Sequence, residues 1–225
     1  MPAEIEVTLP DGSARRLPEG ATAADLAASV GRRLAEAAVA ALVDGAQIDL
    51  TSRLPDGASV AIVTADSDEG RAVLRHSTAH VLAQAVCDLF PGAKYAIGPP
   101  IEDGFYYDFD LPGGTHFSDD DLERIEARMR EIVGEGQPFV REELTREEGL
   151  QRFADQPFKV EIIESVDPEE GAEGSAVSVY RNDAKGNRHW ADLCRGPHVP
   201  STRRLGSFKL MKVAGAYWRG DEHRP

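Results

Sequence analysis

The 225-residue chain has no apolar run long enough to cross a membrane. Its start, Met1-Pro-Ala-Glu-Ile-Glu6, has none of the basic, apolar character of a secretory signal. Cysteine is scarce. There are two, Cys87 and Cys194, which excludes a disulfide framework and points to a reduced, cytoplasmic protein with no membrane partner. Positive charge is also short, with 25 Lys and Arg against 39 Asp and Glu and a net charge of −14. That balance excludes broad, non-specific binding to nucleic acid. The apolar content of 41% is enough for the cores of one or two domains.

What is present is concentrated in two stretches. The first is His76-Ser-Thr-Ala-His80. From Asp68 to Phe90 there is no Pro and only one Gly, Gly70 near the start, so the segment reads as a helix. On a helical wheel Leu74, Val81, Leu82, Ala85 and Leu89 form one apolar stripe, and His76 and His80 lie together away from it. Cys87 shares their face but is about 10 Å further along the axis, too far for a shared ligand. The second stretch is Asp192-Leu-Cys-Arg-Gly-Pro-His198, where Gly-Pro excludes a regular helix and places Cys194 and His198 on a turn. Two histidines four apart can simply be a solvated helix face. Together with the Cys-x-x-x-His turn they make three imidazoles and one thiol. That is a tetrahedral set for zinc, or a nucleophile-and-base set for hydrolysis. Six basic residues and no acidic one lie between Leu193 and Gly220: Arg195, Arg203, Arg204, Lys209, Lys212 and Arg219. This stretch fits a local anionic partner, or a patch that balances acidic neighbours.

In chain order, residues 4–9 alternate as a half-buried strand, Pro10 to Gly12 turn, and Ala14 to Leu17 pair back. Thr22 caps a helix that Gly31 ends or interrupts. Ala40 to Val43 and Ser59 to Thr64 are strands, with turns at Asp44-Gly45 and Pro55 to Gly57. This order suits a small ubiquitin-like β-grasp module over residues 1–65. Acidic, apolar-poor residues 65–70 mark the boundary to a second domain, 66–225. There, Lys94 to Gly98 and Gly104 to Leu111 read as strands, with the aromatic stretch Gly104 to Asp110 as core or substrate contact. Ser118 to Asp121 is a capping box for a helix with Leu122, Ile125, Met129, Ile132 and Val133 on one face, a solvated face opposite, and an end near Gly134. Thr145 to Phe153 is a short helix. Lys159 to Glu164, Ser175 to Tyr180 and Ser207 to Val213 are strands, and Asn182 to Asn187 is a hairpin-like turn. The expected class is α+β: a β-grasp domain, then a domain with an antiparallel sheet and a long His-bearing helix.

His76-Ser-Thr-Ala-His80, Ala96-Ile-Gly-Pro99, Gly104-Phe-Tyr-Tyr-Asp108, Asp192-Leu-Cys-Arg-Gly-Pro-His-Val-Pro200, Phe208-Lys-Leu-Met-Lys212 and Ala214-Gly-Ala-Tyr-Trp-Arg-Gly-Asp221 occur in that order. They resemble the N-terminal half of bacterial threonyl-tRNA synthetases, over essentially the whole chain. The resemblance implies a TGS domain of β-grasp fold. After it comes an editing domain that hydrolyses serine wrongly attached to threonine tRNA. The chain then reads as the front part of a longer protein, whose ATP site and catalytic zinc belong to a core not present here. It implies an editing constellation of His76, His80, Cys194 and His198, with Lys159 as the pocket lysine that contacts the seryl hydroxyl. Asp192 and Tyr107 also match pocket positions. His76 is expected to orient or deprotonate the attacking water near the terminal ribose. Arg195 is expected, from charge alone, to hold tRNA phosphate. The implied partners are the acceptor end of seryl-tRNA(Thr) and the rest of the synthetase, with the chain by itself a monomer.

Spacing alone favours zinc at the four donors, and the related alanyl-tRNA editing domains use a similar set with zinc. The threonyl resemblance implies a metal-free site, so the expectation is no cofactor for this chain. Two rival functions stand beside the editing hydrolase. One is a zinc-dependent trans-editing hydrolase of the alanyl type. The other is a non-catalytic tRNA-docking module.

Overall fold

A computed structural model of the chain describes residues 3–165, 176–184, 188–215 and Trp218. It begins with a hairpin, β1 (Glu4–Thr8) against β2 (Ala14–Pro18), with Gly12 at φ 80° in the turn. Alternation does what the sequence asks: Ile5 and Val7 are buried, and Glu4, Glu6 and Thr8 are exposed. Thr22 and Asp25 form a reciprocal capping box for α1 (Ala23–Val30). Extended backbone at Gly31 breaks the helix, and α2 (Arg32–Ala37) follows. A three-stranded antiparallel sheet comes next, with β3 (Ala38–Val43) between β4 (Ala46–Ile48) and β5 (Val60–Thr64). A parallel bridge from Thr8 to Ser59 joins the hairpin to it. Leu26 of α1 fills the hollow with Ile5, Val7, Leu17 and Val60, which is the expected β-grasp arrangement.

β3 is buried on both faces. Ala38, Ala41 and Val43 belong to that first core, whereas Val39 and Ala40 belong to a second one built around α3 (Asp68–Leu89). Five of its six residues are buried, and its sequence, Ala-Val-Ala-Ala-Leu-Val, is accordingly a continuous apolar run. Ser67 caps α3 by accepting from the Gly70 N–H at 3.0 Å, with Asp68 and Glu69 in the first turn. The helix was expected to bury one stripe. Instead, ten consecutive residues, Ser77 to Val86, are all buried. The elements that surround it include β3, β5, α4 (Asp119–Glu135) and a short hairpin of β7 (Pro100–Ile101) with β8 (Gly104–Phe105).

The two strands expected at 94–98 and 104–111 are present in broken form. β6 (Lys94–Tyr95) pairs with β9 (Phe109–Asp110), and backbone bonds between Ala96, Ile97 and Asp108 prolong the pair. α4 starts at its Ser118–Asp121 capping box and ends on Gly136 in the left-handed region, two residues beyond the expected Gly134. Its polar face is not wholly solvated. Glu126 is 2% exposed and takes Arg130, Lys209 and the Leu210 N–H. The second sheet is antiparallel in the order β10 (Phe139–Leu144), β11 (Val177–Ala184), β12 (Arg188–Leu193). β10 was not anticipated. Asn182 to Ala184, expected in a turn, lie in β11, while 185–187 of that turn and Ser175 fall outside the described residues. α5 (Arg146–Arg152) lies where a short helix was expected, and Thr145 caps it.

Two strand expectations are overturned. Lys159 to Glu164 lies in a helix, α6 (Pro157–Ser165). The β-branched Val160, Ile162 and Ile163 suggested a strand. However, Pro157 opens the first turn, and Lys159 and Ile163, four apart, are the buried pair. Ser207 to Val213 is an irregular strap. At its centre the Leu210 N–H bonds the Glu126 carboxylate and not a neighbouring strand. Trp218, beyond the strap, packs on Phe158 of α6 with ring centroids 4.8 Å apart.

The junction of β5 and α3 depends on Gly70. A Cβ there would lie 1.9 Å from the Thr64 carbonyl oxygen. Gly70→Ala must push α3 off the end of β5, at about 1–3 kcal/mol. Urea unfolding would show this as a lowered midpoint, and an unchanged midpoint would refute the contact.

Candidate active site

β12 delivers Asp192 and ends at Leu193, and the chain then reverses over Cys194 to His198. The Cys194 N–H donates to the Ser178 carbonyl at 3.0 Å, and Ser178 Oγ donates to the Cys194 carbonyl at 2.6 Å, which clamps the start of the turn to β11. Gly196 has φ 71°, and the Gly196–Pro197 peptide is cis. A Cβ on Gly196 would meet the Tyr180 hydroxyl at 2.0 Å, so both conformation and space demand glycine.

This turn meets α3 where the sequence pattern placed it. Cys194 Sγ lies 3.2 Å from His76 Nε2 and 3.3 Å from His198 Nε2, and it accepts the Gly196 N–H at 3.2 Å. The three imidazole centroids are 4.1–5.1 Å apart. One donor atom from each of His76, His80, Cys194 and His198 falls within 4.8 Å of the others. His76 is half-buried, and His80 and His198 are buried. His198 stacks on Phe139 at 4.7 Å and 4°, with Tyr180 edge-on at 4.5 Å. Its Nδ1 lies 3.0 Å from Ser77 Oγ, which also accepts the Val199 N–H at 3.1 Å.

Behind the imidazoles is a buried charged cluster. Lys159, on α6, is 1% exposed, and its Nζ lies 2.5 Å from Asp192 Oδ1, an ion-pair contact. Tyr107 donates a short hydrogen bond to Asp192 Oδ2 and accepts from Lys159 Nζ at 3.1 Å. Asp192 Oδ2 also lies 3.6 Å from His80 Nε2. Tyr95 and Tyr107 present ring faces to the ammonium at 5.2 and 5.6 Å.

Burial sets the protonation states. It pushes His76 down, with Asp192 and the Pro197 carbonyl pulling back up. It pushes His80 well down, helped by His198, His76 and Lys159, and His198 well down, helped by His76. All three imidazoles are therefore neutral at pH 7. Burial pushes the Cys194 thiol up to about 12, against the pull of the Gly196 N–H, so it is not a ready thiolate. It also holds the Tyr107 hydroxyl protonated, reinforced by Asp192.

The structure thus brings together His76, His80, Tyr107, Lys159, Asp192, Cys194 and His198. Arg195 is exposed at the turn. Cys87 lies apart. It lines, with Phe90, Tyr95, Arg152 and Trp190, a separate cavity of about 480 Å³ that none of the four donors reaches. Much of the basic stretch has structural partners. Arg203 donates to the Gly134 carbonyl at 3.1 Å, Arg204 to the carbonyls of Ala35 and Glu36, and Lys209 pairs with Glu126. The sequence reading missed Ser77, Phe139, Tyr180 and Asp49. Ser77 lies inside the first motif and was within reach. The others carry no local signal, because only tertiary packing brings them to His198. Asp49 accepts the His198 N–H at 2.8 Å and the Tyr180 hydroxyl at 2.6 Å.

A TGS domain is matched over residues 5–64, and the threonyl and alanyl tRNA synthetase second additional domain over residues 177–225. The chain is 48% identical over 219 residues to a threonine–tRNA ligase of Rubrobacter xylanophilus, covering 97% of this chain and 32% of that protein. It is 49% identical over 232 residues to one from Thermobifida fusca, 99% of this chain and 34% of that protein. It is 50% identical over 222 residues to one from Acidithiobacillus ferrooxidans, 98% and 33%. The chain therefore spans about a third of the length of these relatives. No helix among the described residues is long and apolar enough to cross a membrane.

The three histidines have folded pKa values below the unfolded value of about 6.5. Between those values the unfolded chain binds more protons, so stability rises with pH. The metal-free chain should therefore have its full urea midpoint at pH 7.5 and lose stability as pH falls from about 6.5 towards 5; a flat or rising midpoint would contradict the burial. Separately, Asp192→Asn leaves the Lys159 ammonium buried and unpaired. It should cost about 3–5 kcal/mol at pH 7.5, and a loss under about 1 kcal/mol would mean water reaches the pair.

Proposed function

We propose, from an identity of about half over nearly the whole chain, that the chain belongs to the threonine–tRNA ligase family, and that residues 66–225 are an editing domain, preceded by a TGS domain at 1–65, that hydrolyses serine from mischarged threonine tRNA. The observation that carries this reading is the convergence of three neutral imidazoles and a protonated thiol in front of the Lys159–Asp192–Tyr107 cluster. Neutral imidazole is the form that takes a proton from water. His76 is the least buried of the three, and it serves as the base beside the terminal ribose. The water oxygen bonds to the seryl carbonyl carbon and its proton passes to His76. The ester bond to the ribose oxygen then breaks, and that oxygen takes the proton back from His76.

Lys159 and Tyr107 hold the seryl hydroxyl and the water, and Asp192 fixes both of them. His80, Cys194 and His198 shape and polarise the pocket. The protonated Cys194 argues against an acyl-cysteine route. A second site of this kind has a physical reason to exist. Serine lacks one methyl group of threonine, worth only about 1–3 kcal/mol to a binding pocket. The partner is the acceptor end of seryl-tRNA(Thr), with Arg195 against phosphate. The rest of the synthetase carries the ATP-dependent chemistry, and this chain alone is a cytoplasmic monomer.

Zinc at the four donors is the second reading. It is favoured by the 4.8 Å clustering and by the buried His80 Nδ1, which has no hydrogen-bond partner among the described residues. When bound, zinc would supply a Lewis acid and lower the pKa of a bound water. With all four donors engaged the metal has no open position, which is the pattern of a structural site. We therefore favour the metal-free route.

Single-turnover deacylation of seryl- and threonyl-tRNA(Thr), with and without a chelator, tests both. Fast loss of serine, sparing of threonine, no chelator effect and a His76→Ala rate lowered at least about 100-fold support the proposal. Loss of cleavage on chelation moves the chain to the zinc reading. Cleavage of neither ester leaves a docking module.

A further inference from the structure

Asp49 follows β4 in the first module, and its backbone is fixed there: its carbonyl accepts the Ser52 N–H at 3.0 Å, and the next carbonyl, of Leu50, accepts Ala24 N–H at 2.9 Å. It is 7% exposed. Both carboxylate oxygens nevertheless face the second module. Oδ1 takes the backbone N–H of His198, and Oδ2 takes the hydroxyl of Tyr180. That hydroxyl is the group pressed against Gly196, and the Tyr180 ring flanks the His198 imidazole. One side chain therefore holds the turn from two directions, through the main chain of His198 and through the ring beside it.

We propose that Asp49 is a positioning residue for the editing site, holding the Cys194–His198 turn so that His198 Nε2 and Cys194 Sγ meet His76. The first module is then part of the site's scaffold and not only a docking element. This inference rests on the editing reading for its activity test. It also predicts a local structural effect that does not need that reading. The geometry separates Asp49 from general contact between modules: Arg204 also bridges them, but from an exposed position and to the carbonyls of Ala35 and Glu36.

The test uses the 225-residue chain with Asp49→Ala, Asp49→Asn, Tyr180→Phe and Arg204→Ala, each checked for folding by circular dichroism. Single-turnover deacylation of seryl-tRNA(Thr) is measured against enzyme concentration. Folded Asp49→Ala should lose at least about tenfold in the limiting rate, with half-saturation within about twofold. Asp49→Asn should recover part of that loss, because its amide oxygen still accepts the His198 N–H. Tyr180→Phe should fall in between, and Arg204→Ala should match the wild type. In parallel, nitrogen-15 histidine labelling reports the His198 amide and ring signals. These should move in Asp49→Ala while those of His116 stay in place. A wild-type limiting rate in a folded Asp49 variant, an equal loss in Arg204→Ala, or unmoved His198 signals would each overturn the proposal. If Asp49→Ala does not fold, Asp49→Asn and Tyr180→Phe carry the same readouts. If the wild type itself does not cleave seryl-tRNA, the editing reading fails, and the His198 signals alone decide the role of Asp49.

Discussion

Keeping water away from two imidazoles, His80 and His198, is the constraint on which the rest depends. A buried imidazole is tolerated when it is neutral and its polar atoms are met. His198 is met on every side: Ser77 at Nδ1, Cys194 at Nε2, Phe139 and Tyr180 on the ring, Asp49 on its main chain. His80 is met incompletely, with Asp192 at 3.6 Å and Nδ1 unpartnered among the described residues. The same dryness makes a buried charge pair nearby, Lys159 with Asp192, dependent on its geometry. In low dielectric a paired ion is held firmly, and losing one partner is expensive. Tyr107 bridges both members and removes the remaining freedom.

The packing of α3 follows from this. Gln84, one turn beyond His80, continues the line of His76 and His80 toward β11. It accepts from Asn182 at 3.0 Å and donates to Gln137 at 3.0 Å, and Gln137 donates to Glu135 at 2.8 Å. This chain of amides runs through apolar core and joins α3 to the sheet and to the end of α4. Its members admit few alternative pairings. It fixes the rotation of α3 more narrowly than leucines would, and so fixes where the two motif histidines point.

The pattern-bearing parts of this architecture were readable from sequence. The hairpin at 4–18, the Thr22 and Ser118 caps, the long helix and the Cys194–His198 turn all announce themselves through alternation, capping chemistry or Gly-Pro. The reading failed where tertiary partners override local preference. Val160 to Ile163 has β-branched character, but Pro157 and the buried Lys159–Ile163 pair make it helical. The 207–213 segment alternates like a strand, yet its central N–H goes to Glu126. Within the site, the four donors, Lys159, Asp192 and Tyr107 were named in advance, the last three only through resemblance. Asp49 was not, because 149 residues separate it from His198 and nothing in its neighbourhood marks a site.

Electrostatics bear on how an anionic substrate could approach. The chain carries −14 overall, and the basic run after Leu193 suggested a local anionic partner, or a patch that balances acidic neighbours. Arg203, Arg204 and Lys209 turn out to serve helix ends and the Glu126 anchor, where cations complement unpaired carbonyls and a buried carboxylate. What is left at the turn is Arg195, exposed and with no ion-pair partner shown among the described residues. A single cation gives a weak, salt-sensitive hold on phosphate. Under the proposed function, this chain would therefore position a 3′ end more than capture a whole tRNA. Affinity would have to come from elsewhere in proteins three times its length, and the site itself needs only to discriminate and cleave.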